Sequence, residues 1–132
     1  MFKNILKQKI NVIDKSMEPT LKHGDFIVMK KIFFSYKPKR FDVIYFKNNR
    51  INLIKRVVGV KNEIIEVSKG KLIINEKVVK EEFIENNYFY NFPKTILKKD
   101  EVFVLGDNRE FSKDSRKFGA IKIKNILSFY RV

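Results

Sequence analysis

The stretch Ile51-Asn52-Leu53-Ile54-Lys55-Arg56-Val57-Val58-Gly59-Val60 decides the fold class of this chain. Its ten residues are mostly apolar and rich in β-branched side chains, and a turn signal follows at Lys61-Asn62. An apolar run of this length that is bounded by turn residues favours a strand over a helix. The run therefore predicts a buried β-strand.

Similar short runs recur along the chain. Residues 71–79 predict a hairpin with Asn75-Glu76 at its tip, and residues 81–87 predict one or two helical turns. Many short strands separated by turn residues indicate an antiparallel β-sandwich or a partly closed barrel with a β-hairpin excursion. The length of 132 residues is that of one domain. The other predicted strands cover residues 26–29, 41–46, 63–67, 101–105 and 126–132.

Composition excludes several kinds of site. The chain has no cysteine and one histidine, His23, which excludes disulfides, thiolate metal sites and cysteine nucleophiles. The net charge of +14 favours anionic partners, including anionic lipid headgroups. However, 23 of the 29 basic residues are lysines, whereas nucleic-acid surfaces rely on the planar fork of arginine. We therefore expect no metal, no cofactor and no nucleic-acid partner.

Lys55 stands between apolar neighbours in the central run. Strand alternation puts Leu53, Lys55 and Val57 on one face and Arg56 on the other. Desolvation would lower the pKa of the Lys55 ammonium, so that the neutral amine could act as a general base near neutral pH. A lysine that protects an edge strand from aggregation produces the same pattern. The strand alone leaves both interpretations open.

Two other segments carry groups that would act together with a general base in catalysis. Ser16 is followed by Met17-Glu18-Pro19, in which the proline fixes its own φ and pushes Glu18 toward an extended conformation. A segment pinned in this way suits a nucleophile that is held toward substrate. Residues 102–116 predict a strand that enters a loop of hydroxyls, carboxylates and arginines, which can orient a catalytic group. An ordinary turn and a solvated loop are the alternatives.

Together these segments resemble the bacterial type I signal peptidases, the serine–lysine endopeptidases that remove signal peptides from exported proteins. Four motifs match in the order of the family, from about Val12 to the end of the chain. They are Ser16-Met17-Glu18-Pro19-Thr20-Leu21 continued by Gly24-Asp25-Phe26-Ile27-Val28, then Asp42-Val43-Ile44-Tyr45-Phe46, then Ile54-Lys55-Arg56-Val57-Val58-Gly59, and last Gly106-Asp107-Asn108-Arg109 with Ser112, Asp114, Ser115 and Arg116.

The resemblance implies a role for each matched residue. Ser16 would be the nucleophile that forms an acyl-enzyme, and Lys55 the neutral base that takes its proton and later activates water. Ser112 would orient the Lys55 amine. Supporting ion pairs would join Arg56 to Asp107 and Asp114 to Arg116. Apolar pockets for small residues, usually Ala, at the first and third positions before the cut would be lined by Ile13, Met17, Leu21 and Ile54.

Three departures from the family pattern bear on function. Asp14 stands where the family carries Ser or Gly, and a carboxylate cannot donate a hydrogen bond to a developing oxyanion. Phe41 stands where the family usually has Gly. Family members are anchored by one or two N-terminal membrane helices, whereas about 15 residues precede Ser16 here and none of the sequence is apolar enough to span a bilayer. We therefore expect the catalytic domain without its anchor.

The resemblance implies that residues 1–132 form a single catalytic domain that cleaves signal peptides after Ala-X-Ala type sites. The domain would act at the cell membrane, on the extracytoplasmic face, with preprotein signal peptides and an anionic membrane surface as partners. The apolar and basic residues that precede Asp14 would either lie in that interface or pack as a first strand. They are Phe2, Lys3, Ile5, Leu6, Lys7, Lys9, Ile10, Val12 and Ile13.

Three alternatives stay open. A catalytically weak or inactive homologue that binds signal peptides or membrane is favoured by Asp14. A self-cleaving serine–lysine protease of the SOS-repressor type shares the dyad and a similar β fold, but those chains carry a DNA-binding domain or a cleavable arm before the serine. A nucleic-acid-binding β-barrel is supported only by the charge and the aromatic content.

Overall fold

The structure is a computed structural model that describes residues 6–85 and 87–132. Within these ranges eleven strands form two sheets in which every pairing is antiparallel, and neither sheet closes on itself. The prediction of a mainly antiparallel β fold is confirmed. The strands are β1 (Lys7–Asn11), β2 (Phe26–Lys31), β3 (Val43–Asn48), β4 (Ile51–Gly59), β5 (Ile64–Ser68), β6 (Lys71–Ile74), β7 (Lys77–Val78), β8 (Phe92–Ile96), β9 (Glu101–Leu105), β10 (Ile121–Lys122) and β11 (Ile126–Tyr130).

The larger sheet has the strand order β1-β2-β11-β3-β4-β9-β10, and the smaller sheet has the order β7-β6-β5-β8. β4 and β9 pair near one end of the larger sheet, and β9 and the second half of β4, from Lys55 to Gly59, are buried on both faces. Val57 and Val104 belong to a core on one face, whereas Val58 and Phe103 belong to a core on the other face that includes residues of the smaller sheet. Burial on both faces explains the apolar residues in the second half of the run 51–60.

The hairpin prediction at residues 71–79 is confirmed. β6 and β7 pair antiparallel, with Ile74 opposite Lys77. The two tip residues, Asn75 and Glu76, both adopt positive φ, at 50° and 69°. Positive φ at both central residues is what a two-residue hairpin turn requires, because the backbone then matches the twist of the strands.

The helix prediction at residues 81–87 is wrong for every residue of that stretch that the structure describes. These residues form a turn and irregular segments instead. Tertiary contacts override the local pattern, because the Glu81 carboxylate pairs with the guanidinium of Arg109 at 2.9 Å and the Phe83 ring packs edge-on against Phe41. The α-helix that does form, α1, covers Ser115–Phe118 and is capped by the Asp114 carboxylate. Over the described residues, no helix is both long and apolar enough to cross a membrane.

The residues before Asp14 divide between the two expected locations. β1 pairs with β2, and Ile10 and Val12 are buried in the core, at 6% and 4% exposure. For these two residues the first-strand interpretation is the correct one. Leu6 and Ile13 are exposed, whereas Phe2, Lys3 and Ile5 lie outside the described residues. The surface that remains open to an interface is therefore smaller than the sequence suggests.

Phe41 adopts a backbone conformation that side chains disfavour, with φ at +76°. The conformation is held from two sides, because the Phe41 N–H donates to the carbonyl of Val57 at 2.6 Å and the Arg56 guanidinium donates to the carbonyl of Phe41 at 2.9 Å. Only glycine reaches this region without steric cost. The glycine that the resemblance implies at this position would adopt the conformation without strain.

We expect Phe41→Gly to be more stable than Phe41→Ala by about 1 kcal/mol, because both variants lose the phenyl ring and only Ala keeps a Cβ at positive φ. Urea denaturation of the two variants measures the difference. Lys30, which pairs regularly with both neighbours of β2, is the matched control position, where Ala should be more stable than Gly by about 0.5–1 kcal/mol. If the Ala variant were more stable than the Gly variant at both positions, the backbone at Phe41 would not be strained.

Candidate active site

Ser16 lies in the turn region between β1 and β2, and this region is fastened to the loop that follows β9. The Ser16 carbonyl accepts a hydrogen bond from the backbone N–H of Asn108 at 2.9 Å, and the Asn108 side-chain amide donates to the carbonyl of Lys15 at 3.0 Å. Ser16 itself is 5% exposed. The backbone on both sides of Ser16 is thereby held in place.

Lys55 lies on β4 and is 2% exposed. Its side chain shares a face with Leu53 and Val57, which both pack in one core. Burial lowers the pKa of the Lys55 ammonium, although the carboxylates of Asp14 and Asp114 act against the shift. Among the described residues, Lys55 forms no ion pair. It is therefore a desolvated amine, and the edge-strand interpretation is wrong because β4 lies between β3 and β9.

Ser16 and Lys55 line one cavity of about 340 Å³, so the structure brings the candidate nucleophile and the candidate base together. We call this space the catalytic cavity. A neighbouring groove of about 420 Å³, the apolar groove, is lined by Ile13, Met17 and Ile54, three of the four candidate substrate-binding residues. The fourth, Leu21, packs instead against the core that contains Met17.

Arg56 projects from the face of β4 opposite to Lys55 and forms a bidentate ion pair with Asp107. The guanidinium Nε and Nη2 donate to the two carboxylate oxygens at 2.9 and 2.8 Å, and both side chains are buried. The Phe83 ring covers the guanidinium at 4.0 Å, and the Thr20 hydroxyl donates to the same carboxylate. The expected pairing of Arg56 with Asp107 is present.

Asp114 organises the loop after β9. It accepts two hydrogen bonds from the Arg116 guanidinium, at 2.8 and 2.9 Å, and one from the backbone N–H of Gly106 at 3.0 Å. Burial acts to raise the pKa of Asp114, but these donors outweigh it and hold the pKa below its ordinary value. The second expected pair, Asp114 with Arg116, is thus also present and keeps a full negative charge beside the cavity.

Ser112 lies against Gly106, next to the backbone of Ser16. A Cβ atom on Gly106 would stand 2.2 Å from the Ser112 Oγ and 2.6 Å from the Ser16 carbonyl oxygen, so only glycine fits there. Within the described residues, the Ser112 Oγ is the one buried side-chain polar atom without a hydrogen-bond partner. The hydroxyl lies close enough to the Asp114 carboxylate to help lower the pKa of Asp114, but it does not meet the geometry of a hydrogen bond, so it is available to a reacting group.

The sequence did not predict that Arg109 stabilises the loop after β9 through hydrogen bonds. Its Nε donates to the carbonyl of Gly106 at 2.8 Å, and its Nη atoms donate to Glu81 and to the hydroxyl of Tyr90. Arg109 belongs to the last motif, which was the available signal. Glu81 and Tyr90 carry no such signal, because they reach Arg109 only through the fold.

Asp14 points toward Ser16. Its Oδ1 accepts hydrogen bonds from both the backbone N–H and the hydroxyl of Ser16, at 3.0 and 2.8 Å. Burial acts to raise the pKa of Asp14, but these two hydrogen bonds and the charge of Lys55 hold it below its ordinary value. The carboxylate is therefore bonded to the Ser16 backbone N–H, which is the group that would otherwise donate a hydrogen bond to an oxyanion.

Among the described residues, no three His, Asp or Glu side chains lie close enough together to hold a metal ion.

The chain matches one protein family and several characterised relatives. Residues 1–131 match the family described as signal peptidase, peptidase S26. Thylakoidal processing peptidase 1 of Arabidopsis thaliana is 34% identical over 141 residues, which cover 96% of this chain and 42% of that protein. Signal peptidase I of Bacillus caldolyticus is 34% identical over 129 residues, which cover 86% of this chain and 71% of that protein.

A solved structure has a similar fold. The crystal structure of a signal peptidase I from Enterococcus faecalis aligns with a TM-score of 0.66 at 29% identity, over 73% of this chain and 98% of that one. This chain spans about two fifths of the length of the first Arabidopsis relatives, at 38% and 42%.

Proposed function

This chain belongs to the signal peptidase family, peptidase S26, and we propose that residues 1–132 form one catalytic domain of a serine endopeptidase. Its substrates are the signal peptides of exported preproteins, which it cleaves after small residues through a Ser16–Lys55 dyad. The observation that carries the proposal is the burial of Lys55 in the same cavity as Ser16. A buried amine without a carboxylate partner is suited to lose its proton and to act as a base.

In the proposed reaction the neutral Lys55 Nζ takes the proton of the Ser16 hydroxyl while Oγ attacks the scissile carbonyl carbon. The resulting tetrahedral intermediate collapses, the peptide C–N bond breaks and the leaving amine receives the proton from Lys55. The neutral Lys55 then deprotonates a water molecule that hydrolyses the acyl-enzyme. Ser112 orients the amine, a role supported by its unpartnered buried hydroxyl.

Asp14 must leave its position before the reaction proceeds. Its carboxylate holds both the Ser16 hydroxyl and the Ser16 backbone N–H, so the hydroxyl proton faces Asp14 and the N–H is unavailable to an oxyanion. We propose that the carbonyl group of a bound substrate displaces it. This arrangement is also what favours the second candidate function, a homologue with weak or no catalysis that binds signal peptides.

The apolar groove supplies the proposed specificity. Ile13, Met17 and Ile54 line it, and shallow apolar pockets select small side chains by excluding larger ones. Exposed apolar residues line this groove and the catalytic cavity, and Ile13, Ile51 and Phe111 are 59–78% exposed. We propose that this rim contacts the extracytoplasmic face of the cell membrane, with the positive charge of the chain favouring anionic lipid.

Ser16→Ala and Lys55→Ala should each abolish cleavage of an Ala-X-Ala peptide, and the double variant should lose no more than either single one, because the two side chains act as one unit. Rates in detergent, measured by chromatography of the products, test this. Lys47→Ala, at an exposed position of β3, is the control and should keep wild-type activity. Substantial cleavage by the Lys55 variant would exclude the dyad.

The cleavage rate should rise with pH along a limb whose apparent pKa lies below the ordinary lysine value of 10.5. The neutral amine is the active form, and burial lowers the Lys55 pKa, so the active fraction grows as pH rises through that lowered value. A pH profile of kcat/KM measures it. A limb near pH 6 that disappears in His23→Gln would instead assign the base to His23.

Asp14→Ser should raise kcat and leave the affinity for a product-like peptide nearly unchanged, because a donor to the oxyanion acts only in the transition state. One such donor is typically worth about 10²–10³ in rate, which sets the upper limit of the gain. The alkaline limb should also move to lower pH, because the variant lacks the carboxylate that stabilises the Lys55 ammonium. Asp100→Ser, in the turn before β9, is the control, and an unchanged or lower kcat would mean that Asp14 assists catalysis.

The protein should sediment with anionic vesicles at low salt and less so at high salt. Ile13→Ser combined with Ile51→Ser should reduce sedimentation several-fold, because these exposed side chains line the apolar groove. Phe89→Ser combined with Ile96→Ser is the matched control, since Phe89 and Ile96 are similarly exposed, at 67% and 71%, but line neither the groove nor the catalytic cavity. An equal loss of sedimentation in both double variants would show that the rim residues do not bind the membrane.

A further inference from the structure

The catalytic cavity and the apolar groove differ in charge. Among the described residues, eleven line the catalytic cavity and four of these are lysines, compared with 23 lysines in 132 residues of the chain. Three of the four, Lys15, Lys113 and Lys117, are exposed, and the fourth is the buried Lys55. The groove has one lysine, Lys9, among the described residues that line it.

The three exposed lysines come from separate segments that the fold brings together. Lys15 directly precedes Ser16, Lys113 lies in the loop after β9 and Lys117 lies on α1. In the part of the chain that the structure describes, none of them forms an ion pair, whereas Lys122 has carboxylate partners at 3.2 and 3.6 Å. Their charges are therefore available to a bound ligand.

Asp14 is the one acidic residue among those that line the catalytic cavity. When Lys55 is neutral, as the proposed mechanism requires, three ammonium groups face one carboxylate, and that carboxylate is engaged by Ser16. Phe111 and Phe118 form an apolar part of the cavity wall, while the three ammonium groups stay exposed to solvent and therefore to salt. The cavity thus has an excess of positive charge beside the nucleophile.

We propose that this cavity binds an acidic side chain of the mature protein within the first residues after the cut. The proposal rests on the proposed function, which puts the residues before the cut in the apolar groove. The polypeptide that continues beyond Ser16 then enters the catalytic cavity on the leaving-group side. Lysine ammoniums are point charges on flexible stems, so they accept a carboxylate at more than one position and do not demand a fixed geometry.

The test uses three peptides that share an Ala-X-Ala site and differ at the second residue after it, which is Glu, Gln or Lys. We expect kcat/KM to decrease in that order, with roughly three- to tenfold between the Glu and Gln peptides at low salt, and the difference to shrink at high salt. Lys113→Glu combined with Lys117→Glu should reverse the order, so that the Lys peptide becomes the best substrate.

Lys98→Glu combined with Lys99→Glu is the matched control. It changes the net charge by the same amount at two exposed lysines that do not line the catalytic cavity, so it should keep the wild-type order. Equal kcat/KM values for the three peptides in the wild-type protein would overturn the inference. A reversal in the control as large as that in the Lys113/Lys117 variant would overturn it too, because net charge alone would then explain the preference.

Binding to Ser16→Ala separates this inference from the proposed function. The dissociation constants of the three uncleaved peptides, measured by fluorescence anisotropy, should follow the same order, with the Glu peptide bound most tightly. If the wild-type protein cleaves none of the peptides while this order holds, the proposed protease activity is wrong and the acidic subsite stands. If the three constants are equal, the subsite is wrong whether or not cleavage occurs.

Discussion

The bidentate ion pair between Arg56 and Asp107 is the contact on which the arrangement of the site depends. It joins the middle of β4 to the loop after β9, and both side chains are shielded from water. Removing one partner of a buried pair leaves an uncompensated charge, which typically costs about 3–5 kcal/mol. Because Arg56 and Lys55 are adjacent on one strand, the pair that fixes Arg56 also fixes the origin of the Lys55 side chain.

Because side chains alternate between the two faces of a β-strand, the adjacent residues Lys55 and Arg56 have different roles. Successive side chains point to opposite faces, so Arg56 is directed to the buried pair while Lys55 is directed to the catalytic cavity. The loop that holds Asp107 continues into Asn108, whose N–H binds the Ser16 carbonyl. One rigid connection therefore runs from Lys55 through Arg56 and the loop to the backbone of Ser16.

The sequence predicts those parts of the fold and the site that depend on local pattern. Alternation in the run 51–60 correctly separates Lys55 from Arg56, and the motifs identify both ion pairs. It leaves the answer open where distant contacts decide. The residues before Asp14 fit a first strand or an interfacial segment equally well, and only the pairing of β1 with β2 shows that Ile10 is buried. The orientation of Asp14 is likewise invisible, since a carboxylate at that position is compatible with pointing toward Ser16 or away from it.

The charges around Asp14 determine how the site can open. Hydrogen bonds from Ser16 and the nearby Lys55 hold the pKa of Asp14 below its ordinary value, so the carboxylate is neutral only in acid. Burial lowers the pKa of Lys55, but the amine still becomes neutral only as pH rises through that lowered value. A rise in pH that favours the neutral Lys55 amine disfavours the neutral form of Asp14. Activation of the base therefore does not free the Ser16 N–H, and the carboxylate has to be displaced by the substrate. The displacement therefore occurs as the scissile carbonyl of the bound substrate approaches Ser16, so that its cost appears in kcat and not in the affinity for a peptide.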